Sequence, residues 1–273
     1  MKFMVSLLLV CCGSVESLHA DTTEAADASA LYWRSGDLQT IDANSTVPSP
    51  YQDDDWYRSD FEIQRNWIGT AWRAENAVFA QDGLTLHLAP VADDSTQKSF
   101  LGAEVQSNDV HGFGRYEVVM RPSPAHGVIS SFFTYTGPHF DDPHDEIDIE
   151  FLGRDTTRMW VLAYSDGKKL PGKWLELGFD AADAPHLYAF DWTADRIVWF
   201  VDGKEVFRVN SQNPPAPHHA GKIYMNIWAG GPSQRNWSGE APADTQAEAQ
   251  YYCVSYQPSG VKTPQCSDTF SIE

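Results

Sequence analysis

The sequence predicts an all-β fold, a sandwich or jelly roll. Short runs rich in β-branched and aromatic residues recur along the chain, separated by glycine, proline and aspartate turns. Asp202-Gly203 falls between two such runs, the strongest short hairpin signal. Helical periodicity is nearly absent, with one short helical turn expected over 180–184. No internal repeat is visible, which argues against a propeller.

The first 20 residues, MKFMVSLLLVCCGSVESLHA, set Lys2 before an apolar run from Phe3 to Cys12 and end in Leu18-His19-Ala20. That is the order of a secretory signal peptide cleaved after Ala20. Its apolar stretch is too short to span a bilayer comfortably. A secreted or periplasmic protein follows. Residues 21–55, with a charge run at Asp53 to Asp55, read as a mostly irregular N-terminal extension. From Trp56 the signals turn to strands: 83–90, 114–122, 127–138, 196–209, 222–231 and 249–258. Residues 56–258 therefore form one β-domain, and 259–273 a turn-rich tail. All-β units of this length occur as single domains.

Cys11 and Cys12 leave with the leader. Cys253 and Cys266 remain, and in an oxidising compartment two leftover cysteines pair. The bridge would pin the tail to the last strand, and the tail is expected to pack only through Cys266.

The net charge is −19, and it stays −19 without the leader, which removes Lys2 and Glu16 together. Such an acidic chain is a poor partner for nucleic acid or an anionic membrane. A neutral polysaccharide is not repelled. The chain is expected to act as a monomer. Aromatic residues make up 13% of it, with ten tryptophans. Cores use them, and so do clefts that stack flat rings on sugars, so composition does not separate the two.

Residues 145–153, DEIDIEFLG, carry the chemistry. On a strand, Ile147, Ile149 and Phe151 point into the core, and Glu146, Asp148 and Glu150 point off the open face. A solvated face is the ordinary reading of such alternation. Here three acids share one face, with no lysine or arginine between Tyr135 and Gly153 to relieve their repulsion. Acidic residues are also poor strand formers. Retaining glycosidases need two carboxyls about 5–5.5 Å apart, one nucleophile and one acid/base. Residues i and i+4 of a strand lie roughly 13 Å apart at the backbone, and two glutamates leaning together bring their carboxyls near that separation. The shorter aspartate fits between and beneath them. Crowded like charges also keep one acid protonated near neutral pH. The residues themselves leave open which glutamate has which role.

DEIDIEFLG, with GFGRYEVVM and SSFFTYTGP upstream, resembles glycoside hydrolase family 16, its lichenase-like branch in particular. The resemblance spans roughly Trp56 to Tyr256 and includes LGFDA, LYAFDW and VWFVDGKEV. The Glu-x-Asp-x-Glu motif stands here without the extra residue that laminarinases insert. The resemblance implies a curved β-jelly roll whose concave sheet forms a glucan cleft. It implies Glu146 as nucleophile, Asp148 as its assistant and Glu150 as general acid/base, with hydrolysis by retention. Mixed-linkage 1,3-1,4-β-glucan is the implied substrate of an endo-acting β-glucanase.

By the same resemblance, Glu104, Phe133, Tyr135, Trp228 and Trp237 match sugar-binding positions, with a core role as the alternative for each aromatic. Trp72 and Trp160 are weaker candidates. His144 stands where lichenases commonly carry tryptophan, and reads as a loop histidine on the rim. Gln106 replaces an arginine and Leu162 an asparagine, which puts strict lichenase specificity in question. Tyr252 occupies the position of an aspartate that binds structural calcium in many relatives. No cofactor or metal is expected, and a structural calcium stays open. The alternatives are a transglycosylase or an exopolysaccharide depolymerase using the same strand. A non-catalytic carbohydrate-binding sandwich would not need the three acids in register. A calcium loop would need a glycine turn that a strand lacks.

Overall fold

The computed structural model describes residues 31–34, 55–80, 83–93, 95–210 and 215–270. The leader, and the extension apart from residues 31–34 and 55, lie outside them. In chain order the strands are β1 (Leu31–Arg34), β2 (Trp56–Arg58), β3 (Thr70–Trp72), β4 (Ala77–Ala80), β5 (Gly83–Pro90), β6 (Phe100–Ser107), β7 (Gly114–Arg121), β8 (Val128–Thr136) and β9 (Asp145–Leu152). They continue as β10 (Arg158–Ser165), β11 (Lys168–Lys169), β12 (Lys173–Glu176), β13 (His186–Thr193), β14 (Arg196–Val201), β15 (Lys204–Asn210), β16 (Lys222–Ala229) and β17 (Ala247–Pro258).

They form two antiparallel layers of a curled jelly roll. One runs β4-β5-β17-β7-β13-β14-β15, and β1 pairs with the second half of β17. The other runs β2-β6-β16-β8-β9-β10-β12, with β11 paired to the end of β10. The end of β5 pairs with β6 and joins the layers, while β3 lies parallel to β6. The acidic strand β9 is thus central in its layer, held on both edges.

The main core lies between the layers. Ile147, Ile149 and Phe151 of β9 are fully buried there with Tyr188, Phe190, Trp199 and Tyr251 of the opposite layer. The Phe151 ring meets Tyr188 edge-on, with centroids 4.9 Å apart. Two polar links cross this core to the backbone of the second layer. Trp199 Nε1–H donates to the Asp148 carbonyl at 3.1 Å, and the Tyr251 hydroxyl lies 2.9 Å from the Ser131 carbonyl and 3.2 Å from that of Asn226. Such buried indoles and phenols need partners, and here the partners are the backbone under the acidic face.

Asp202 and Gly203 both have positive φ, 49° and 75°, as a type I′ hairpin requires. Asp166 and Gly167 repeat this at the β10–β11 turn, with φ of 49° and 74°. The helical turn expected over 180–184 is a non-helical turn instead. Asp180 Oδ1 accepts the Ala182 N–H at 2.9 Å, which offers the backbone an alternative to a helix. The short α-helix among the described residues is α1 (Arg235–Ser238).

Cys253 and Cys266 are bridged. The tail, however, packs through more than Cys266. Ser267 donates to the fully buried Glu117 carboxylate from its N–H (2.8 Å) and its hydroxyl (3.0 Å). Phe270 packs beside Val119 and Leu187. A buried carboxylate needs donors, and the short turn Cys266–Asp268 supplies them.

Candidate active site

Strand register turns the open face of the second layer into rows of side chains. One row reads Lys222, Tyr135, Glu146, Tyr164, Lys169 across β16, β8, β9, β10 and β11. The next reads Gln106, Tyr224, Phe133, Asp148, Leu162 from β6 to β10. A third reads Glu104, Asn226, Ser131, Glu150, Trp160, Trp174 from β6 to β12. The fourth holds Trp228, Ile129 and Leu152. Rows stand two residues apart, about 6.6 Å, and neighbours within a row about 4.8 Å. The three acids therefore head three successive rows on the central strand.

Asp148 sits deepest and is buried, and Glu146 and Glu150 are partly exposed on either side of it. Burial, then the charge of Glu146, pushes the Glu150 carboxyl up to about 8, and Lys169 opposes the rise. Burial, then Glu146 and Glu150, raises Asp148 well above the usual carboxylate range. Both carboxyls are thus pushed toward the protonated form, in which Asp148 can donate a hydrogen bond to Glu146. Burial likewise lifts Glu104 to about 7, against the hydrogen bonds from Ser59 Oγ (2.8 Å) and Asn226 Nδ2 (3.3 Å).

His144 is not a bystander on the rim. Its Nε2 stands 2.5 Å from Glu146 Oε2, its ring stacks on Tyr164 at 4.6 Å, and Tyr135 lies 5.4 Å away. The readable signal was parity: His144 precedes Glu146 by two and shares its face.

The other sequence-predicted residues divide. Glu104 lies in the row of Glu150, buried. Phe133 lies in the row of Asp148 and stacks on Tyr224 at 4.9 Å and 14°. Tyr135 is directly opposite Glu146. Trp228 is on the same face but only 7% exposed, in an apolar cluster with Ile68, Trp72, Ile129 and Leu152. Trp237 packs against that cluster, 6.4 Å from Trp228. The two tryptophans thus wall one end of the face rather than meet the acids. Trp160, partly exposed and opposite Glu150, is closer to them. The sequence reading missed Tyr164, Tyr224, Asn226 and Ser131, whose places come from cross-strand register. Ser131 Oγ and Asn226 Oδ1, beside Glu150, are buried with no hydrogen-bond partner among the described residues. Buried polar atoms of this kind are costly unless a ligand or water meets them.

At Tyr252 the chain offers a phenol, not a carboxylate, and its hydroxyl bonds Gln250 Oε1 at 2.5 Å. That position does not supply the hard, charged oxygen a calcium ion prefers.

Comparison with known proteins agrees with this geometry. The chain is 40% identical over 202 residues to the Beta-glucanase of Bacillus amyloliquefaciens, covering 74% of this chain and 82% of that protein. The Beta-glucanase of Paenibacillus macerans gives the same figures. Among solved structures, a prokaryotic beta-1,3-1,4-glucanase (lichenase) from a mouse hindgut metagenome superposes with a TM-score of 0.74 at 34% identity, over 84% of this chain and 99% of that one. The Bacillus licheniformis beta-glucanase gives 0.72 at 35%, over 85% and 99%. Residues 64–251 match the family described as Glycosyl hydrolases family 16, and the chain belongs to that family.

Proposed function

We propose that the chain is an endo-acting β-glucanase that hydrolyses mixed-linkage 1,3-1,4-β-glucan with retention of configuration. It is a glycoside hydrolase by family. One observation carries the reading: Glu146, Asp148 and Glu150 lie in register on one face, with Glu150 lifted to about 8. That rise favours Glu150 as the acid. Glu150 protonates the departing glycosidic oxygen while Glu146 attacks the anomeric carbon and forms a glycosyl-enzyme. Glu150, now ionised, takes a proton from water, which releases the sugar and frees Glu146. Asp148 and His144 hold the Glu146 carboxylate in place. Tyr135, Tyr164 and Trp160 offer faces for sugar rings. The leader supports export, to the medium or the periplasm, and the protein acts as a monomer on its polysaccharide.

A second reading rests on the Glu146 row, which has a lysine at each end. Lys222 and Lys169 are unexpected in so acidic a chain, and together they suit an anionic substituted polysaccharide.

The test is reducing-end release from mixed-linkage β-glucan, laminarin, xyloglucan and an acidic exopolysaccharide, with Glu146→Gln as blank. Release from mixed-linkage glucan is expected. Release from the acidic polymer alone would transfer the assignment to the second reading. No release from a folded protein, with label passing to acceptor oligosaccharides, would make it a transglycosylase.

A further inference from the structure

Just outside the acidic face, three separate chain segments meet at Asp145. This residue opens β9, beside Glu146, and its side chain is 2% exposed. Its Oδ2 accepts the N–H groups of His218 (2.8 Å) and His219 (3.0 Å), and its Oδ1 accepts the N–H of Asp166 (2.7 Å). The carboxylate therefore has one fixed orientation. The same bonds draw three further side chains around it. His219 Nδ1 lies 3.0 Å from Asp145 Oδ2, and His218 Nδ1 lies 4.0 Å from it. Asp166 Oδ1 stands 3.8 Å from His218 Nε2 and 4.0 Å from His219 Nδ1. One ligand atom from each of Asp145, His218 and His219 falls within 4.8 Å of the others.

The bland account is a hydrogen-bonded anchor for the segment entering β16. Main-chain donors alone would satisfy that account. His219 Nδ1 joins that anchor by its own bond to Asp145 Oδ2, but the anchor does not call for a second imidazole, that of His218, 4.2 Å from the first and turned toward the same pair of carboxylates. Ligand atoms each about 2.1 Å from one ion stand about 3.0–3.4 Å apart. The Asp145–His219 pair already has that spacing. The wider gaps belong to His218 and Asp166, which are 43% and 42% exposed and can close by rotating.

We propose that Asp145, His218, His219 and Asp166 bind a divalent transition-metal ion of the zinc class. Two imidazoles and two carboxylates suit that class, whereas calcium prefers six to eight oxygens. The ion would clip the start of β9 to the β10–β11 turn and to the segment before β16. This site shares no ligand with the Glu146, Asp148 and Glu150 set, so it stands or falls apart from the hydrolase reading.

The test uses the full chain stripped with chelator, titrated with zinc, and melted with zinc or calcium. One equivalent of zinc should bind, and at a hundredfold excess over Kd the Tm should rise by about 5–10 °C. Calcium should leave it unchanged. His218→Ala/His219→Ala should lose the shift, and Asp166→Asn, which keeps the positive-φ turn, should weaken zinc about tenfold or more. The second variant covers the case in which the first does not fold. The proposal is overturned by no shift in the parent, by an equal shift with calcium, or by an undiminished shift in a folded variant.

Discussion

His144 Nε2 lies 2.5 Å from Glu146 Oε2, and the imidazole that makes this contact is stacked on Tyr164. A hydrogen bond to a charged carboxylate is worth about 1.5–3 kcal/mol when its donor is removed. The stack fixes the donor in place, so the carboxylate is aimed before substrate arrives. His144→Phe keeps a ring on Tyr164 and removes the donor. It should lower kcat about tenfold or more and leave KM within about twofold. His144→Gln, which can still donate, should recover part of the loss. Steady-state kinetics on one glucan oligosaccharide would decide it; unchanged kcat in both variants would return His144 to the rim.

Glu150, lifted to about 8 by burial and by Glu146, should set the alkaline limb of activity. Its protonated form is the proton donor, so kcat/KM should fall as pH rises through about 8. The limb belongs to the coupled carboxylates as a set. The Glu150→Gln variant should lose about a hundredfold or more on glucan, whose leaving group needs a proton. On an aryl glycoside with an acidic phenol the first step should be nearly spared. Glu146→Gln should be inactive on both. Equal losses for Glu150→Gln on both substrates would remove the proton-donor role.

The three acids were legible because strand parity needs only sequence: Ile147, Ile149 and Phe151 mark the inward face, which leaves Glu146, Asp148 and Glu150 outward. The Asp202-Gly203 hairpin was legible for the same local reason. What stands opposite the acids was not. Tyr164 faces Glu146 from the next strand, and Asn226 and Ser131 face Glu150 through two strands with long sequence separations. Register across such distances is set by the packed core and the turns together. Trp228 shows the limit from the other side. Parity puts it on the open face, but Trp67 and Trp237 cover it there, and no local pattern reports that. The Asp145 cluster escaped too, because His218 and His219 come 73 and 74 residues later.

Trp199 supports the acidic strand from the far layer, through its N–H bond to the Asp148 carbonyl. Trp199→Phe removes the donor and opens a small cavity under β9. Stability should fall by about 2–4 kcal/mol, read from urea unfolding. Because the lost bond holds the backbone of Asp148, kcat should also fall, by more than KM rises. Equal stability loss with kcat unchanged would mean that the link serves the core alone.

His111 should make the fold sensitive to mild acid. The ring is buried against Tyr256 at 4.7 Å, neither nitrogen has a hydrogen-bond partner among the described residues, and burial lowers its pKa to about 4 despite the nearby charge of Asp109. Unfolded, the imidazole titrates near its ordinary value of 6.5. Between those values the unfolded chain binds the extra proton, so stability falls as pH falls from about 6.5 toward 4. The loss from this group by pH 5 is about 2 kcal/mol, or roughly 4–8 °C in Tm. His111→Phe keeps the packing against Tyr256 and removes the proton site. Its stability should therefore exceed that of the parent at pH 5 by about 2 kcal/mol more than it does at pH 8. Urea unfolding of both proteins at the two pH values measures this directly, and parallel pH dependences would show that His111 binds its proton equally in the folded and unfolded chains.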